Sequence, residues 1–336
     1  MTKRPGARVG IREVAQAAGV STASVSNALN GTGRIDPRTR DRIVEVARQL
    51  GYRANPSARQ LRQQRTGVLA VTAREPKGDG YGLMDVEYFV EMLMSAASVA
   101  LAKGYSLTLV PMATAGDTLD QIAVDGTLLF DVLSADPLLA ELSAAGTPVV
   151  TVGRDTALPE TTGWWVDNDL AVGVTGLLDH LSDAGARRIG LLTGPAEYSY
   201  CVDAEQAYLA WVAARGGEPL VAHVDEEPGH AAAAALLDRP DPPDAVCAVL
   251  ERYAVAVVDE AGRRRLRVPQ DLLVAAASDS AAARRGEVPI TVLDLHPGEV
   301  GRQAAELLIG RVEGSEAEPA HRLIGADLVA RRSTTS

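Results

Sequence analysis

The chain has few of the residues that form disulfide frameworks, metal centres and covalent catalytic sites. Its 336 residues include two cysteines, Cys201 and Cys247, which form no Cys-x-x-Cys motif. Such sparse cysteine usage is typical of an intracellular protein and excludes the disulfide framework of a small secreted domain. The five histidines form no His-Glu-x-x-His motif, and no Gly-x-Ser-x-Gly motif marks a nucleophilic serine. We therefore expect the chain not to be an enzyme and to need neither a metal nor a cofactor.

Aromatic residues and long apolar runs are also scarce. Aromatic residues make up 4% of the chain. No apolar run approaches the roughly 20 residues of a membrane-spanning helix. Residues 1–20 contain basic side chains but not the apolar segment of a secretory signal, which an exported solute-binding protein would need. We expect a cytoplasmic, nucleoid-associated chain without a membrane partner.

Charge is divided unevenly along the chain. Residues 1–65 contain 13 Lys and Arg residues and 4 Asp and Glu residues, a net charge of +9. Because the whole chain carries −11, residues 66–336 carry −20. A basic head on an acidic body is typical of a phosphate-binding module joined to a part that stays away from nucleic acid.

The basic head contains the pattern of a helix-turn-helix. Apolar residues recur at helical spacing in 11–18 and again in 22–30, on either side of a Gly-Val-Ser turn. Gly19 supplies the turn, and Ser21 is placed to cap the second helix. In a helix-turn-helix the second helix lies in the major groove of DNA. The side chains predicted to face outward from it are small or uncharged: Thr22, Ala23, Ser26 and Asn27. An ordinary helical hairpin is the alternative, which the charge pattern disfavours.

A third helix and a short linker follow. Asp36 and Pro37 predict a helix start and Gly51 predicts its end. Residues 55–62, NPSARQLR, form at most about two helical turns, too few for a stable helix in water. We expect that segment to order on DNA. The arginines expected to contact phosphates are Arg34, Arg38, Arg40, Arg42 and Arg53.

These motifs resemble the LacI/GalR family of bacterial regulators. The resemblance rests on VAQAAGVSTASVSNALNG and NPSARQLR in the head, and on DGTLLF, VDND and ARRIGLLTG further along the chain. It covers nearly the whole sequence. It implies a homodimer that binds a pseudo-palindromic operator in double-stranded DNA. The polar tail carries no heptads, so we expect a dimer and not a tetramer.

The resemblance also implies the role of each DNA-contacting residue. Thr22, Ala23 and Asn27 would face bases. Leu61 would enter the minor groove at the operator centre, with Ala58 allowing close approach; packing of Leu61 between linker and body is the alternative. Many family members have Arg where this chain has Asn27, and Asn favours adenine where Arg favours guanine. The residues expected to hold the DNA backbone are Ser21, Ser26, Asn30, Thr39, Tyr52 and Asn55.

The expected domains are a helix-turn-helix head (1–54), a hinge helix or linker (55–66) and a body (67–336). Short β-rich apolar runs alternate with helical patterns in the body, which predicts doubly wound parallel sheets. These runs are Val68–Thr72, Leu107–Val110, Thr127–Phe130, Val149–Val152, Ile189–Thr193, Ala245–Leu250 and Leu272–Ala276.

The resemblance implies that the body has two lobes like those of periplasmic binding proteins. We expect the chain to cross between them near Trp164–Asp167, Leu293–Leu295 and His321–Gly325. The expected boundaries are 67–164 and 295–322 for lobe 1, and 166–293 and 325–336 for lobe 2.

An effector would bind between the lobes, beyond the carboxyl ends of the strands. Several positions depart from the sugar- and purine-binding family pattern: Ala204, Val224, Leu250-Glu251 and Ser278-Asp279. The remaining candidates at strand ends are Asp131, Arg154, Tyr198, Tyr200, Glu251 and Asp279. Two interpretations stay open. Either the effector is not a typical sugar, with the carboxylates favouring a cation, or small-molecule sensing is lost and the protein acts constitutively or through a protein partner.

Other segments are expected to be structural or mobile. We expect Asp167 and Asp169 to cap the following helix, and Trp164 and Trp165 to brace the hinge. Residues 76–82, PKGDGYG, lack the Gly-Lys-Ser/Thr of a P-loop and are expected to form a mobile loop over the cleft. Residues 1–8 and 330–336 are polar and expected to be disordered.

Overall fold

The computed structural model describes residues 9–30, 33, 35–52, 65–74, 87–112, 115–159, 161–224, 229–315 and 320–335. The loop expected at 76–82, the amino-terminal residues 1–8 and most of the linker lie outside these ranges. The chain divides into two compact units, residues 1–66 and residues 67–336.

The smaller unit is the all-helical head. It contains α1 (Ile11–Ala18), α2 (Thr22–Asn30) and α3 (Pro37–Gln49). The Asp36 carboxylate caps α3 by accepting a hydrogen bond from the Thr39 backbone N–H at 3.1 Å, as the sequence predicted. Seven small or branched apolar side chains from the three helices form the core: Val14, Ala15, Ala18, Val25, Ala28, Ile43 and Ala47.

The larger unit alternates strands with helices. Its strands are β1 (Val68–Ala73), β2 (Ser106–Leu109), β3 (Gly126–Phe130), β4 (Val149–Val152), β5 (Trp165–Asn168), β6 (Ile189–Thr193), β7 (Val221–His223), β8 (Ala245–Ala248), β9 (Leu273–Ala276), β10 (Thr291–Asp294), β11 (His321–Ile324) and β12 (Asp327–Val329). Its helices are α4 (Glu87–Ala102), α5 (Ala115–Gln121), α6 (Pro137–Ala144), α7 (Leu170–Asp183), α8 (Ser199–Ala214), α9 (His230–Leu237), α10 (Glu251–Arg263), α11 (Ala281–Arg285) and α12 (Pro297–Glu313).

The strands form two six-stranded sheets, one in each lobe. Lobe 1 has the order β11-β5-β4-β3-β1-β2, with every neighbouring pair parallel. Lobe 2 has the order β12-β10-β9-β8-β6-β7, and β12 alone runs antiparallel to its neighbour. The order reverses direction in each sheet, at β1 in lobe 1 and at β6 in lobe 2. The prediction of doubly wound parallel sheets is therefore confirmed.

Helices cover both faces of each sheet. In lobe 1, α4 and α12 pack on one face while α5 and α6 pack on the other. In lobe 2, α7 and α8 cover one face, and α9 and α10 cover the other. The backbones of α4 and α12 approach closely at Gly301, where an added Cβ would lie 2.1 Å from the Met92 carbonyl oxygen. Only glycine fits this helix crossing.

The lobe boundaries differ from those expected. Residues 165–168 form β5 of the lobe 1 sheet, so the first crossing follows Asn168 and lies beyond the expected 164–167. Likewise β11 extends lobe 1 to Ile324, beyond the expected 322. Both segments pair with neighbouring strands. Their backbone N–H and C=O groups are thereby hydrogen-bonded within the lobe 1 sheet before the chain crosses to lobe 2. The second crossing, after Asp294, lies within the expected range.

The carboxyl-terminal segment is ordered, contrary to expectation. Ser333 is fully buried, and its hydroxyl donates to the Val274 carbonyl at 2.5 Å and accepts from the Thr291 N–H at 2.8 Å. Thr334 is also buried and lies 2.6 Å from the Thr291 hydroxyl. Composition alone suggested disorder, but these short hydroxyl side chains satisfy buried polar groups at the sheet of lobe 2.

Candidate functional site

The turn between α1 and α2 has the geometry of a helix-turn-helix. Gly19 adopts φ +63°, a left-handed conformation that favours glycine, and ends α1. The Ser21 hydroxyl oxygen then accepts a hydrogen bond from the Ser24 N–H at 3.0 Å, which is the N-cap that the sequence predicted. The start of α2 is thereby fixed by its own side chains.

The two faces of α2 differ in exposure. Val25 and Ala28 are buried in the head core. Thr22 and Ala23 are exposed, while Ser26 and Asn27 are half-buried. The helix therefore offers a short uncharged polar surface at its amino-terminal end, the part of a recognition helix that reaches base edges.

The other residues expected to contact DNA are more varied in their surroundings. The Thr39 hydroxyl donates to the Asp36 carboxylate at 3.3 Å, and Tyr52 packs partly against the head core. The side chain of Asn30 lies outside the described part of the structure. So do Asn55, Ala58 and Leu61, whose roles stay predictions.

Several head arginines are available to an anion. Arg38 and Arg42 are exposed and form no ion pair with a described residue. In contrast, the Arg48 guanidinium lies 2.7 Å from the Glu45 carboxylate. Arg40 is half-buried, whereas Arg34 and Arg53 lie outside the described ranges. The exposed cations suit contacts with phosphates, which position a protein on DNA.

In the body, the carboxyl ends of the two sheets face each other across an interlobe cleft. The segment after β3 contacts the segment after β6, where the Ser134 N–H donates to the Glu197 carbonyl at 2.7 Å and Leu133 forms an isolated bridge with Tyr198. All six effector candidates follow strands or begin helices at these ends. Their individual contacts separate them into three groups.

The first group surrounds Asp131. This residue adopts φ +55°, and its carboxylate forms no hydrogen bond to a described residue. Burial raises the pKa of Asp131 to about 6, although the charges of Arg252 and Arg74 oppose the shift. The rings of Tyr198 and Tyr200 stack 5.1 Å apart, and burial and the Asp131 charge raise the pKa of both phenols. A carboxylate beside an aromatic platform can hold a polar ligand.

The second group centres on Arg154 and is already occupied by the protein itself. The Arg154 Nε donates to Asp167 Oδ2 at 3.1 Å, and its Nη2 contacts Asp203 on α8. The Ser199 hydroxyl also donates to Asp167 Oδ2, at 2.9 Å. Arg154 and Asp167 belong to lobe 1, whereas Asp203 and Ser199 belong to lobe 2. Arg154 therefore joins the lobes and is not free to bind an effector carboxylate.

Asp167 was expected to cap a helix, but its carboxylate lies in this network. Burial raises its pKa, although hydrogen bonds from Ser199 and Arg154 oppose the shift. Asp169 does cap α7, accepting from the Val172 N–H at 3.1 Å.

The third group holds lobe 2 together. The Ser278 hydroxyl donates to the Glu251 carboxylate at 2.6 Å. Both oxygens of Asp279 accept from the Arg331 guanidinium, at 2.9 and 2.7 Å, and Arg284 lies 3.1 Å away. Burial alone would raise the pKa of Asp279, but the hydrogen bonds from Arg331 and Arg284 outweigh it and hold the pKa below its usual range. Asp279 anchors the carboxyl-terminal segment.

Sequence reasoning missed four cleft residues. The Tyr88 hydroxyl donates to the Asn168 side-chain oxygen at 2.8 Å, and the Asn168 amide donates to the Leu295 carbonyl at 2.9 Å. Arg74 and Arg252 lie close enough to Asp131 to influence its charge. Arg74 directly follows β1 and Arg252 begins α10 after β8, so the strand-end rule would have found both.

The two cysteines lie in the body core. Burial raises the pKa of Cys201 to about 11 and that of Cys247 to about 12, so neither thiol is ionised near neutral pH. In the described ranges, no helix has the length and apolar character needed to span a membrane.

Known proteins match both units. The family model for bacterial regulatory proteins of the lacI family matches residues 10–55, and that for a periplasmic binding protein-like domain matches residues 178–334. The HTH-type transcriptional regulator CelR of Thermobifida fusca is 30% identical over 331 residues, 95% of this chain and 96% of the relative.

Solved structures agree. A complex of the transcriptional regulator CelR with cellobiose matches with a TM-score of 0.75 and 30% identity, over 97% of this chain and 100% of that one. A lac repressor dimer bound to operator and the anti-inducer ONPF matches with a TM-score of 0.78, over 98% of this chain and 100% of that one. At 19% identity the second match shows the fold alone. The chain belongs to the lacI family of bacterial regulatory proteins and is a DNA-binding transcriptional regulator.

Proposed function

We propose that the protein is a repressor that binds a pseudo-palindromic operator as a homodimer. The observation that carries this proposal is the capped helix α2, which exposes Thr22 and Ala23 in a head whose Arg38 and Arg42 are exposed and form no ion pair with a described residue. An uncharged reading surface and exposed cations on the same unit suit base contact and phosphate contact, respectively.

A self-association surface on lobe 1 supports the homodimer. Met94 and Leu101 lie seven residues apart on α4, on one face, and are 64% and 67% exposed. Leu109, 46% exposed, lies on β2, the edge strand of the same sheet. Large exposed apolar side chains are typical of interfaces. Sedimentation of the full chain should give a dimer; a stable tetramer at low concentration would contradict the proposal.

The Asn27 side chain provides the test of DNA reading. The full chain is offered a library of random duplexes, and the enriched sequences are compared with those enriched by Asn27→Arg. We expect inverted repeats with adenine preferred at the base that Asn27 contacts, and a shift to guanine in the variant. An unchanged preference would remove Asn27 from the reading surface. Asn27 also lies against Gly33, so a melting curve of the variant is the control for folding.

The interlobe cleft is the proposed effector site, with Asp131 as its central group. Its half-buried carboxylate has no hydrogen-bond partner among the described residues and favours a cationic effector that is not a typical sugar. A second candidate is a cello-oligosaccharide, because the relative CelR was solved with cellobiose and because the Tyr198 and Tyr200 rings form a stacked platform here.

A thermal-shift screen of the full chain separates these effectors. A ligand of the native state raises the melting temperature by mass action. A cationic metabolite that stabilises the parent chain but not Asp131→Asn supports the first candidate, and stabilisation by cellobiose supports the second. If no compound raises the melting temperature, the protein is expected to regulate without a small molecule. The contacts of Arg154, which already join the two lobes, would permit this.

A ligand in the cleft would act by shifting a population of lobe orientations. It favours the orientation in which it contacts both lobes, and operator affinity changes to the extent that DNA binding favours the same orientation.

A further inference from the structure

A cavity lined in part by Arg154 lies between the two lobes. It has a volume of about 360 Å³. Its lobe 1 wall includes Trp164, Trp165 and Arg311, and its lobe 2 wall includes Asp203 and Gln206 on α8. We call it the lateral pocket. Its volume lies within the range of small-molecule sites.

Arg311 is the unusual group in this pocket. Its guanidinium lies 5.1 Å from the Trp164 ring centroid, and its Nη1 donates to the Val149 carbonyl at 2.6 Å. Burial lowers its pKa, and it forms no ion pair with a described residue. Among the described residues, this half-buried cation has a carbonyl and an aromatic face as partners and no carboxylate, so its charge is incompletely compensated there.

The carboxylates that also line the pocket are engaged elsewhere. Asp155 Oδ1 accepts from the N–H groups of Ala135 and Ala157, at 2.7 and 3.0 Å. Asp203 contacts Arg154. Arg311 is therefore the charge to which an entering ligand would respond.

Arg215 provides an internal comparison. It lies over the Trp211 ring at 3.8 Å, the same type of cation–π contact, but its Nη2 donates to the Asp179 carboxylate at 2.8 Å. Arg215 is paired with a carboxylate, whereas no carboxylate of the described residues pairs with Arg311.

We propose that the lateral pocket binds a small organic carboxylate, with the carboxylate on Arg311 and a planar apolar body against Trp164. A charged hydrogen bond in a half-buried site is stronger than one in water, and a planar body fills the space beside the indole ring. The site is distinct from the one at Asp131, because Arg154 and Asp203 line the lateral pocket whereas Asp131, Tyr198 and Tyr200 do not.

Binding there would favour the present arrangement of the lobes, since both contribute walls. A ligand shifts an equilibrium by its differential affinity for the two states. This coupling to operator affinity rests on the proposed function, whereas the binding itself does not.

The test uses the full chain and three probes: benzoate, benzyl alcohol and acetate. Benzoate carries both charge and ring, and each other probe carries one of the two. Binding is followed by tryptophan fluorescence and by melting temperature. We expect benzoate to bind and the other two to bind at least about tenfold more weakly, as expected for loss of a charged hydrogen bond or of the stacking contact.

The matched variants are Arg311→Gln and Arg215→Gln. Benzoate affinity should fall about tenfold or more in the first and stay unchanged in the second. Because Arg311→Gln removes a packed side chain, Gln206→Glu serves as the second variant: Gln206 is exposed, and the added negative charge should also weaken benzoate binding.

Three outcomes would overturn the proposal: no benzoate binding at millimolar concentration, equal binding by Arg311→Gln in a folded protein, or equal binding of benzoate and benzyl alcohol. If benzoate binds but operator affinity does not change, the proposed site is supported, and only its effect on DNA binding is contradicted.

Discussion

The head and the body use charge in opposite ways. In the head, Arg38 and Arg42 are exposed and form no ion pair with a described residue. In the body, Arg154 and Arg331 are directed at carboxylates that tie distant segments together. These two arginines of the head are therefore available to an external anion, whereas Arg154 and Arg331 of the body hold its lobes and its carboxyl-terminal segment.

The two regions also differ in how their cores are built. Four of the seven buried apolar residues of the head are alanines, so its core buries little apolar area. The body has several clusters rich in leucine and valine around two sheets. A small helical unit that buries little apolar area has a small free energy of unfolding. The body buries more apolar area and has a larger free energy of unfolding. Substitutions should therefore affect the unfolding transitions of the two units separately.

The largest separation is expected from Ile43→Ala. Ile43 is fully buried and is the largest buried side chain of the head core. Its truncation should cost about 2–5 kcal/mol, enough to unfold a unit of this size. DNA binding should be lost while the thermal transition of the body stays in place. The control is Val44→Ala, at a site 46% exposed, which should change neither. A shift of the body transition would show that the two units unfold together.

Between pH 4 and pH 8, a pH dependence of stability should appear in the body through Asp131. Because burial raises its pKa to about 6, the folded state holds this proton more tightly than the unfolded state does. The stabilisation is complete below about pH 4 and is lost as the pH rises through about 6, by up to about 3 kcal/mol. Asp131→Asn should therefore be more stable than the parent at pH 8 and equal to it below pH 4.

Denaturant unfolding of the full chain between pH 4 and pH 8 measures this difference. Asp183→Asn, at an exposed carboxyl, is the control and should show the parent profile. Parallel profiles for the parent and Asp131→Asn would contradict the assignment.

A smaller effect, again confined to the body, is expected from Arg331→Ala. Its guanidinium donates to both oxygens of Asp279 and to the Ile290 carbonyl. Removing it leaves a partly buried carboxylate without its main partner and should cost about 1.5–3 kcal/mol. The body transition should move while DNA affinity per folded molecule does not. Arg285→Ala, at a neighbouring exposed position, should leave both unchanged.

The smallest effect on stability, and a specific one on DNA, is expected from Arg42→Gln. Since Arg42 is exposed, its loss should not change either unfolding transition. If it contacts a phosphate, the slope of log affinity against log salt should become shallower by about one. Arg48→Gln, whose parent side chain is paired with Glu45, should change the slope less. Equal slopes for both variants would contradict the claim that Arg42 contacts phosphate more strongly than Arg48, which is paired with Glu45.

Periodicity predicted seven of the twelve strands of the described ranges and the three helices of the head. Each of the seven apolar runs identified in the sequence overlaps a strand, and Ser21 and Asp36 cap the helices assigned to them. The strand β5 was missed because three of its four residues, Trp165, Asp167 and Asn168, are not typical of a buried apolar run. The strand β7 has three residues, too few for a periodic pattern.

Candidate site residues were predictable by position but not by partner. The strand-end rule identified Asp131 and Arg154, yet the partner of Arg154 on α8 lies 49 residues away in the chain. The partner of Asp279 lies 52 residues away, in a tail whose composition suggested disorder. Such pairs depend on how the lobes meet, which local sequence does not encode.

The most direct test of the central claim is a selection of random DNA duplexes by the full chain at moderate ionic strength. The head presents a capped reading helix and exposed arginines, so the chain should enrich inverted repeats whose half-sites lie about one helical turn apart. Affinity for the enriched repeat should exceed that for random duplex by at least about a thousandfold. Equal affinity for both, with and without cell extract, would contradict the assignment of this chain as a sequence-specific regulator.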